Sequence, residues 1–210
     1  MHIYAFGSIC RGEVDSFSDV DMLAIVSGRN ERFNPKDYSI YSYERINELW
    51  KEGNAFAWHL FLESKLIYSH DSIDYLRNLG KPSNYNSGLT DCEKFLEIFI
   101  SAKNSIETSV LTEIFDLSSV FLSIRNFATC FSLDCSVRPD FSRNSARSLG
   151  IHSIPICDLT YQLLERARVL STRGAGEILN TDDIKQVKSQ LGLIESWMRE
   201  KIKMIGDKNE

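Results

Sequence analysis

The apolar residues of this chain change period near residue 80, and that change limits what each half can become. Upstream, short apolar runs alternate with polar residues and are separated by turn signals. The spacing predicts a first strand over 2–6 (His-Ile-Tyr-Ala-Phe), a short helix over about 8–13 and a second strand over about 19–26. Ser27-Gly28-Arg29-Asn30 and Asn34-Pro35 mark a turn-rich connection. A third strand follows over 37–42, alternating polar and bulky residues. One helix is expected from Tyr43 to about Glu52, stopped by Gly53-Asn54, and another carries Phe56, Trp58, Leu60, Phe61 and Leu66. A unit with three evident strands is thin, because so small a domain cannot cover both faces of its sheet well.

The stretch from Gly80-Lys81-Pro82-Ser83-Asn84 to Gly88 reads as a linker, and the chain beyond it is helical. Thr90-Asp91-Cys92-Glu93 has the form of a capping box, with the glutamate three residues after the cap. Phe95, Leu96, Phe99, Ala102, Ile106 and Val110 follow at helical spacing, then Phe115, Val120, Phe121, Ile124 and Phe127. Pro155 suits the first turn of a third helix that ends near Gly174, and Asn180-Thr181-Asp182-Asp183 opens a fourth. The expected fold class is α+β, with a small mixed-sheet domain over residues 1–80 and an α-helical bundle over 88–206.

Charge and cysteine content narrow the chemistry. A net charge of −5 over 210 residues argues against broad, non-specific DNA binding, which rests on clustered Lys and Arg. The five cysteines are scattered and form no Cys-x-x-Cys pair, and the four histidines lie far apart along the chain. A zinc site is therefore not expected. With no signal peptide and no apolar run of spanning length, a cytoplasmic setting without a membrane partner is expected.

The densest chemistry lies in Gly7-Ser8-Ile9-Cys10-Arg11-Gly12, followed by Ser18-Asp19-Val20-Asp21-Met22-Leu23. A strand that runs into a Gly-Ser turn and a helix start presents free backbone N–H groups and a hydroxyl to an anion. Alternation along the second strand puts Asp19 and Asp21 on one face. Two close carboxylates repel unless a cation lies between them, and phosphate oxygens complete the coordination of a divalent ion.

Gly7, Ser8, Arg11, Gly12, Ser18, Asp19 and Asp21 resemble, residue type and spacing together, the nucleotidyltransferase superfamily of DNA polymerase beta, kanamycin nucleotidyltransferase and the minimal nucleotidyltransferases. The likeness is sharp in this motif and looser over roughly the first 70 residues. It implies that Gly7, Ser8, Arg11 and Ser18 contact the nucleotide, and that Asp19 and Asp21 are catalytic ligands of Mg²⁺ (or Mn²⁺). The implied reaction moves a nucleoside monophosphate from an NTP to an acceptor hydroxyl on a protein, an RNA end or a small molecule. In relatives built this way a helical bundle forms part of the acceptor cleft, a dimer interface, or both.

Members of that superfamily usually supply a third carboxylate from the next strand, and here the alignment places Ser39 at that position. A hydroxyl is a poor Mg²⁺ ligand and a poor base at neutral pH. Three readings stay open: Asp37, two residues upstream; Glu63, from a helix against the sheet; or an incomplete site in a binding or regulatory protein, antitoxin-like or defence-associated.

Other residues carry weaker signals. His59, between Trp58 and Leu60, reads as a hydrogen-bonded structural histidine. Arg125-Asn126 resembles the start of the signature of helical HEPN-type ribonucleases, but Ser132 stands where the histidine is expected, so an active ribonuclease is not expected. The three arginines between Arg138 and Arg147 suit either a solvated face or an acceptor contact. Phe95, Phe99, Phe115, Phe121, Phe127 and Trp197 are many large rings for one bundle, and a homodimer through that bundle is expected.

Overall fold

A computed structural model describes residues 1–13, 20–28, 32–109, 111–135 and 138–209. They divide into two compact units, Met1–Asn86 and Ser87–Glu210.

The first unit is a four-stranded sheet with helices on its apolar face. In chain order it contains β1 (His2–Phe6), α1 (Ser8–Arg11), β2 (Asp21–Val26), β3 (Ser39–Ser42), α2 (Tyr43–Glu52), α3 (Ala55–Glu63), β4 (Ser64–Ser69) and α4 (Tyr75–Leu79). The sheet order is β3-β2-β1-β4, and β1 is antiparallel to both its neighbours while β2 and β3 run parallel. Along β1, His2, Tyr4 and Phe6 share one face and lie opposite Ile25, Leu23 and Asp21 of β2. Tyr4, Phe6, Leu23 and Ile25 form a core with Ile46, Leu49 and Trp50 of α2 and with Ala57 and Leu60 of α3. Burying a side chain such as Leu60 or Ile46 contributes about 1.5–3 kcal/mol.

Local chemistry sets the boundaries. The Ser42 hydroxyl accepts from Arg45 N at 3.1 Å and starts α2, and Gly53, at φ 64°, ends it in the left-handed conformation. Asn54 Oδ1 accepts from Phe56 N at 2.9 Å and starts α3 within one residue. Tyr4 Oη donates to Asp74 Oδ1 at 2.9 Å and accepts from Leu76 N at 3.0 Å, tying α4 to the central strand.

Several sequence expectations move. The helix expected through Leu66 ends at Glu63, and Ser64–Ser69 is a fourth strand paired with β1. The third strand starts at Ser39, not residue 37. Asn34 O accepts from both Asp37 N (2.9 Å) and Tyr38 N (3.0 Å), and the turn this closes consumes the residues that alternation assigned to the strand. The first helix stops at Arg11 because Gly12 adopts the left-handed conformation. Gly80–Asn84 is a packed strap and not a free linker: Trp50 Nε1 donates to Gly80 O at 2.9 Å, Ser83 N to Trp50 O at 3.0 Å, and Trp58 Nε1 to Ser83 O at 3.1 Å.

The second unit contains α5 (Gly88–Thr108), α6 (Glu113–Asp134), α7 (Asp158–Arg173) and α8 (Thr181–Asn209), with two 3-10 turns at Ser145–Arg147 and Gly150–His152. The α+β architecture followed by a bundle of long helices is the expected one. α5 begins at Gly88, two residues before the supposed capping box, and the Asp134 side chain packs where a Cβ on Gly88 would lie. α7 begins after Cys157, so Pro155 precedes the helix. By length and composition α6 could cross a membrane, yet Leu117, Val120, Phe121, Ile124, Phe127, Ala128 and Phe131 along it are buried within the bundle. Of the large rings, Phe99, Phe121, Phe127 and Trp197 are buried too, whereas Phe115 is exposed.

Glu195 of α8 is held by Lys103 of α5 at 3.0 Å and by Arg199 at 2.8 Å. The hydrogen bond from Lys103, then that from Arg199, lowers its carboxyl below the ordinary value, against the opposing effect of burial. A carboxyl depressed in the folded state contributes stability above its unfolded value of about 4.3, and that contribution is lost as pH falls through the lowered folded value. Glu195→Gln is therefore expected to lower the melting temperature at neutral pH, with the gap to wild type closing in acid. A gap that widens in acid would contradict this role.

Candidate active site

The antiparallel register sets Phe6 opposite Asp21, so the turn that leaves β1 passes the first residue of β2. Gly7 has φ 73° and ψ −141°, a conformation that L side chains rarely adopt. A Cβ on Gly7 would lie 2.6 Å from Asp21 Oδ2, so the missing side chain is the space the carboxylate occupies. Asp21 is exposed, at the rim of the helix-covered face of the sheet. Ser8 follows at the start of α1, half-buried, and Cys10 Sγ donates to Ala5 O at 3.3 Å, fastening α1 back onto β1.

Asp21 lines an open cleft of about 660 Å³ whose walls are Val20–Met22 and Pro35–Ser39. Asp37 and Ser39 both lie on its second wall. Asp21 and Asp37 thus both line the cleft, one at the N-terminal end of β2 and the other just before β3. Ser39 pairs with Leu23 one step deeper in the sheet, and Asp37 reaches the cleft from the turn before β3. Oxygen donors on two walls suit a hard divalent cation such as Mg²⁺. Lys36 and Tyr38 also line this wall, and nothing in their sequence context, a polar turn after Asn34-Pro35, marked them as cleft residues. Ser18 and Asp19 lie outside the described residues.

Glu63 has a different surrounding. It stands on the β4 side of β1, where Phe6 pairs with Ser64. Its Oε2 is shared by Arg11 Nη1 and by His59 Nε2 at 3.0 Å, and Arg11 Nε also reaches Glu13 at 2.8 Å. The three side chains of Arg11, His59 and Glu63 are each less than one-fifth exposed. Burial pulls the Arg11 guanidinium down, but the hydrogen bond and charge of Glu13 and the charge of Glu63 outweigh it and hold the arginine charged. The ring of His59 also meets Phe6 edge-on at 5.5 Å. Arg11 is thus placed beside the Gly7-Ser8 turn by a half-buried carboxylate whose Oε2 it shares with His59.

In the helical unit, Arg125 Nη2 donates to Phe141 O at 2.8 Å and its Nε to Ser142 O at 3.3 Å, fastening the segment after α6. Arg143 pairs with Glu165 at 3.0 Å, and Arg147 pairs with Asp158 and covers the Tyr161 ring. These partners of the arginines all lie within the helical unit.

A second cluster was not anticipated. His2, His70 and Asp71 each offer a ligand atom, all within 4.8 Å of one another, a set able to hold a metal ion. The histidines far apart in sequence meet because β1 pairs with β4, His2 opposite Ser69. The cluster lies at the other end of β1 from Gly7, about 13 Å from the Phe6 end at ~3.3 Å per residue.

No curated protein matches the chain. Residues 2–77, which run from the start of β1 into α4, match the nucleotidyltransferase domain family. The chain thus carries one N-terminal nucleotidyltransferase domain, consistent with the wider polymerase-beta-like superfamily, joined to a helical unit.

Proposed function

We propose that this protein is a metal-dependent nucleotidyltransferase that moves a nucleoside monophosphate from an NTP to an acceptor hydroxyl, releasing pyrophosphate. The observation that carries this reading is the apposition of the Gly7-Ser8 turn to Asp21, in a cleft that Asp37 shares. Gly7 N–H, the Ser8 hydroxyl and Arg11 bind the phosphates of the NTP, and Ser18 adds a nucleotide contact. Asp19 and Asp21 hold Mg²⁺ (or Mn²⁺), which neutralises charge developing on the phosphates when bound. Asp37, from the opposite wall, serves as the third carboxylate and takes the proton of the acceptor hydroxyl; its place in the lining of the same cleft supports this role. Glu63 acts on the phosphate side, positioning Arg11 together with His59.

The test is transfer of label from each α-labelled NTP, with Mg²⁺ or Mn²⁺, to protein, RNA and small-molecule acceptors. Wild type is expected to label at least one acceptor. The Asp19→Ala/Asp21→Ala double variant is expected to be silent, and Asp37→Asn to lose at least about 10²-fold. Equal transfer by wild type and the double variant overturns the reading. Nucleotide binding without transfer to any acceptor favours a binding or regulatory role for the same cleft.

A further inference from the structure

We propose that His2, His70 and Asp71 form a second metal site, specific for a borderline transition ion of the Zn²⁺ type, that staples the start of β1 to the turn after β4. The site is separate from the carboxylate cleft and takes no part in phosphoryl chemistry. Imidazole nitrogens with one carboxylate suit Zn²⁺ or Co²⁺, whereas Mg²⁺ prefers an all-oxygen shell. Three protein ligands with a fourth position open to water is a common zinc arrangement.

The surroundings resemble those of ligating side chains. His2 is buried, its ring against Tyr75 at 5.5 Å and edge-on to Tyr43 at 5.7 Å. Its Nδ1 lies 2.7 Å from Tyr43 Oη, and its Nε2 lies 3.1 Å from Asp71 Oδ1. When Nδ1 carries the proton and donates it to Tyr43, Nε2 presents a lone pair toward Asp71 and His70, the tautomer a metal requires. The His70 Nδ1 faces Met1, 2.7 Å from its N and 3.3 Å from its O, which leaves Nε2 directed at Asp71 Oδ2, 3.8 Å away. Asp71 is oriented by the Ser69 hydroxyl at 2.6 Å and by Ile73 N at 3.1 Å, both donating to Oδ1. His2 and Asp71 therefore have outer partners that fix their direction, whereas His70 ligates through Nε2 only when its proton moves to Nδ1, which then donates to Met1 O in place of accepting from the Met1 amino group. Bonds of about 2.0–2.2 Å to a tetrahedral ion require the three donors to close up. His70, more than half exposed, is the ligand free to swing inward.

The experiment titrates Co²⁺ alone into the full chain, free of any polyhistidine tag, with excess Mg²⁺ present to fill all-oxygen sites. Wild type is expected to bind one equivalent, with the visible bands of a four-coordinate cobalt ion that Zn²⁺ abolishes, and to melt at a higher temperature with Zn²⁺. His70→Ala and Asp71→Asn, both exposed and so compatible with folding, are expected to weaken binding at least about 100-fold, and Tyr43→Phe about tenfold. Asp21→Asn is expected to bind Co²⁺ as wild type does, which separates this site from the proposed transferase cleft. Absence of a four-coordinate cobalt spectrum in wild type, or cobalt binding that survives both His70→Ala and Asp71→Asn, overturns the proposal.

Discussion

Replacement of Gly7 by alanine is expected to reduce label transfer about 10²-fold or more while leaving the fold in place. The backbone at φ 73° and ψ −141° costs an L residue on the order of 1–3 kcal/mol. The new Cβ would stand 2.6 Å from Asp21 Oδ2, so the carboxylate must retreat by about 1 Å to reach ordinary contact. A displacement of about that size at a reacting centre is enough for a 10²-fold loss. Gly12→Ala is the matched control: its φ is 78°, yet a Cβ there meets nothing within 4 Å. It carries backbone strain without touching Asp21, and is expected to transfer label at close to the wild-type rate. Thermal melts of both variants beside the transfer assay separate the two effects. Comparable activity in Gly7→Ala and wild type would show that the Gly7–Asp21 apposition is not catalytic.

The largest stability effect is expected at Gly53. This residue ends α2 at φ 64°, and a Cβ on it would stand 2.2 Å from Asn84 O and 2.5 Å from Ser83 O. Both are backbone atoms of the strap that Trp50 and Trp58 hold down, so no flexible side chain can give way. Left-handed strain of about 1 kcal/mol and overpacking of roughly 1–3 kcal/mol add, and Gly53→Ala is expected to cost about 2–4 kcal/mol. The urea midpoint of the N-terminal unit measures it, with the far-UV signal of the helical unit as internal reference. A loss below about 1 kcal/mol would mean that the strap moves aside easily.

Much of the fold could be read from the sequence because the local signals agreed with the tertiary ones. Gly53-Asn54 announces the end of α2 and Gly174 the end of α7. β4 escaped because no Gly or Pro occurs anywhere from Ala55 to Ser69, so an apolar helical run flows into Ser-Lys-Leu-Ile-Tyr-Ser without punctuation. Its β-branched and aromatic pair, Ile67-Tyr68, was the available cue. The need for a glycine at 88 comes from Asp134, which no local reading can supply. In the candidate site, Gly7, Ser8 and Asp21 were legible as a motif. The place of Asp37 was not, because the turn closed on Asn34 O replaces extended chain there. His2, His70 and Asp71 were invisible for a plainer reason: strand pairing, not spacing, brings them together.

The position of β1 has a consequence for how the molecule is made. β1 comes before the other strands of its sheet in chain order, and it needs a partner on each side. β2 follows soon and can form a hairpin-like pair with it, but the opposite edge of β1 stays open until Ser64–Ser69 has been synthesised. Tyr4 waits longer still, for Asp74 and Leu76. At bacterial or eukaryotic elongation rates that interval lasts seconds, long compared with hairpin formation. A nascent chain stalled between β3 and β4 would present an unpaired apolar strand edge, open to pairing with another copy. Slow translation is least harmful after residue 79, when every strand of the sheet has its neighbour and α4 has closed on Tyr4.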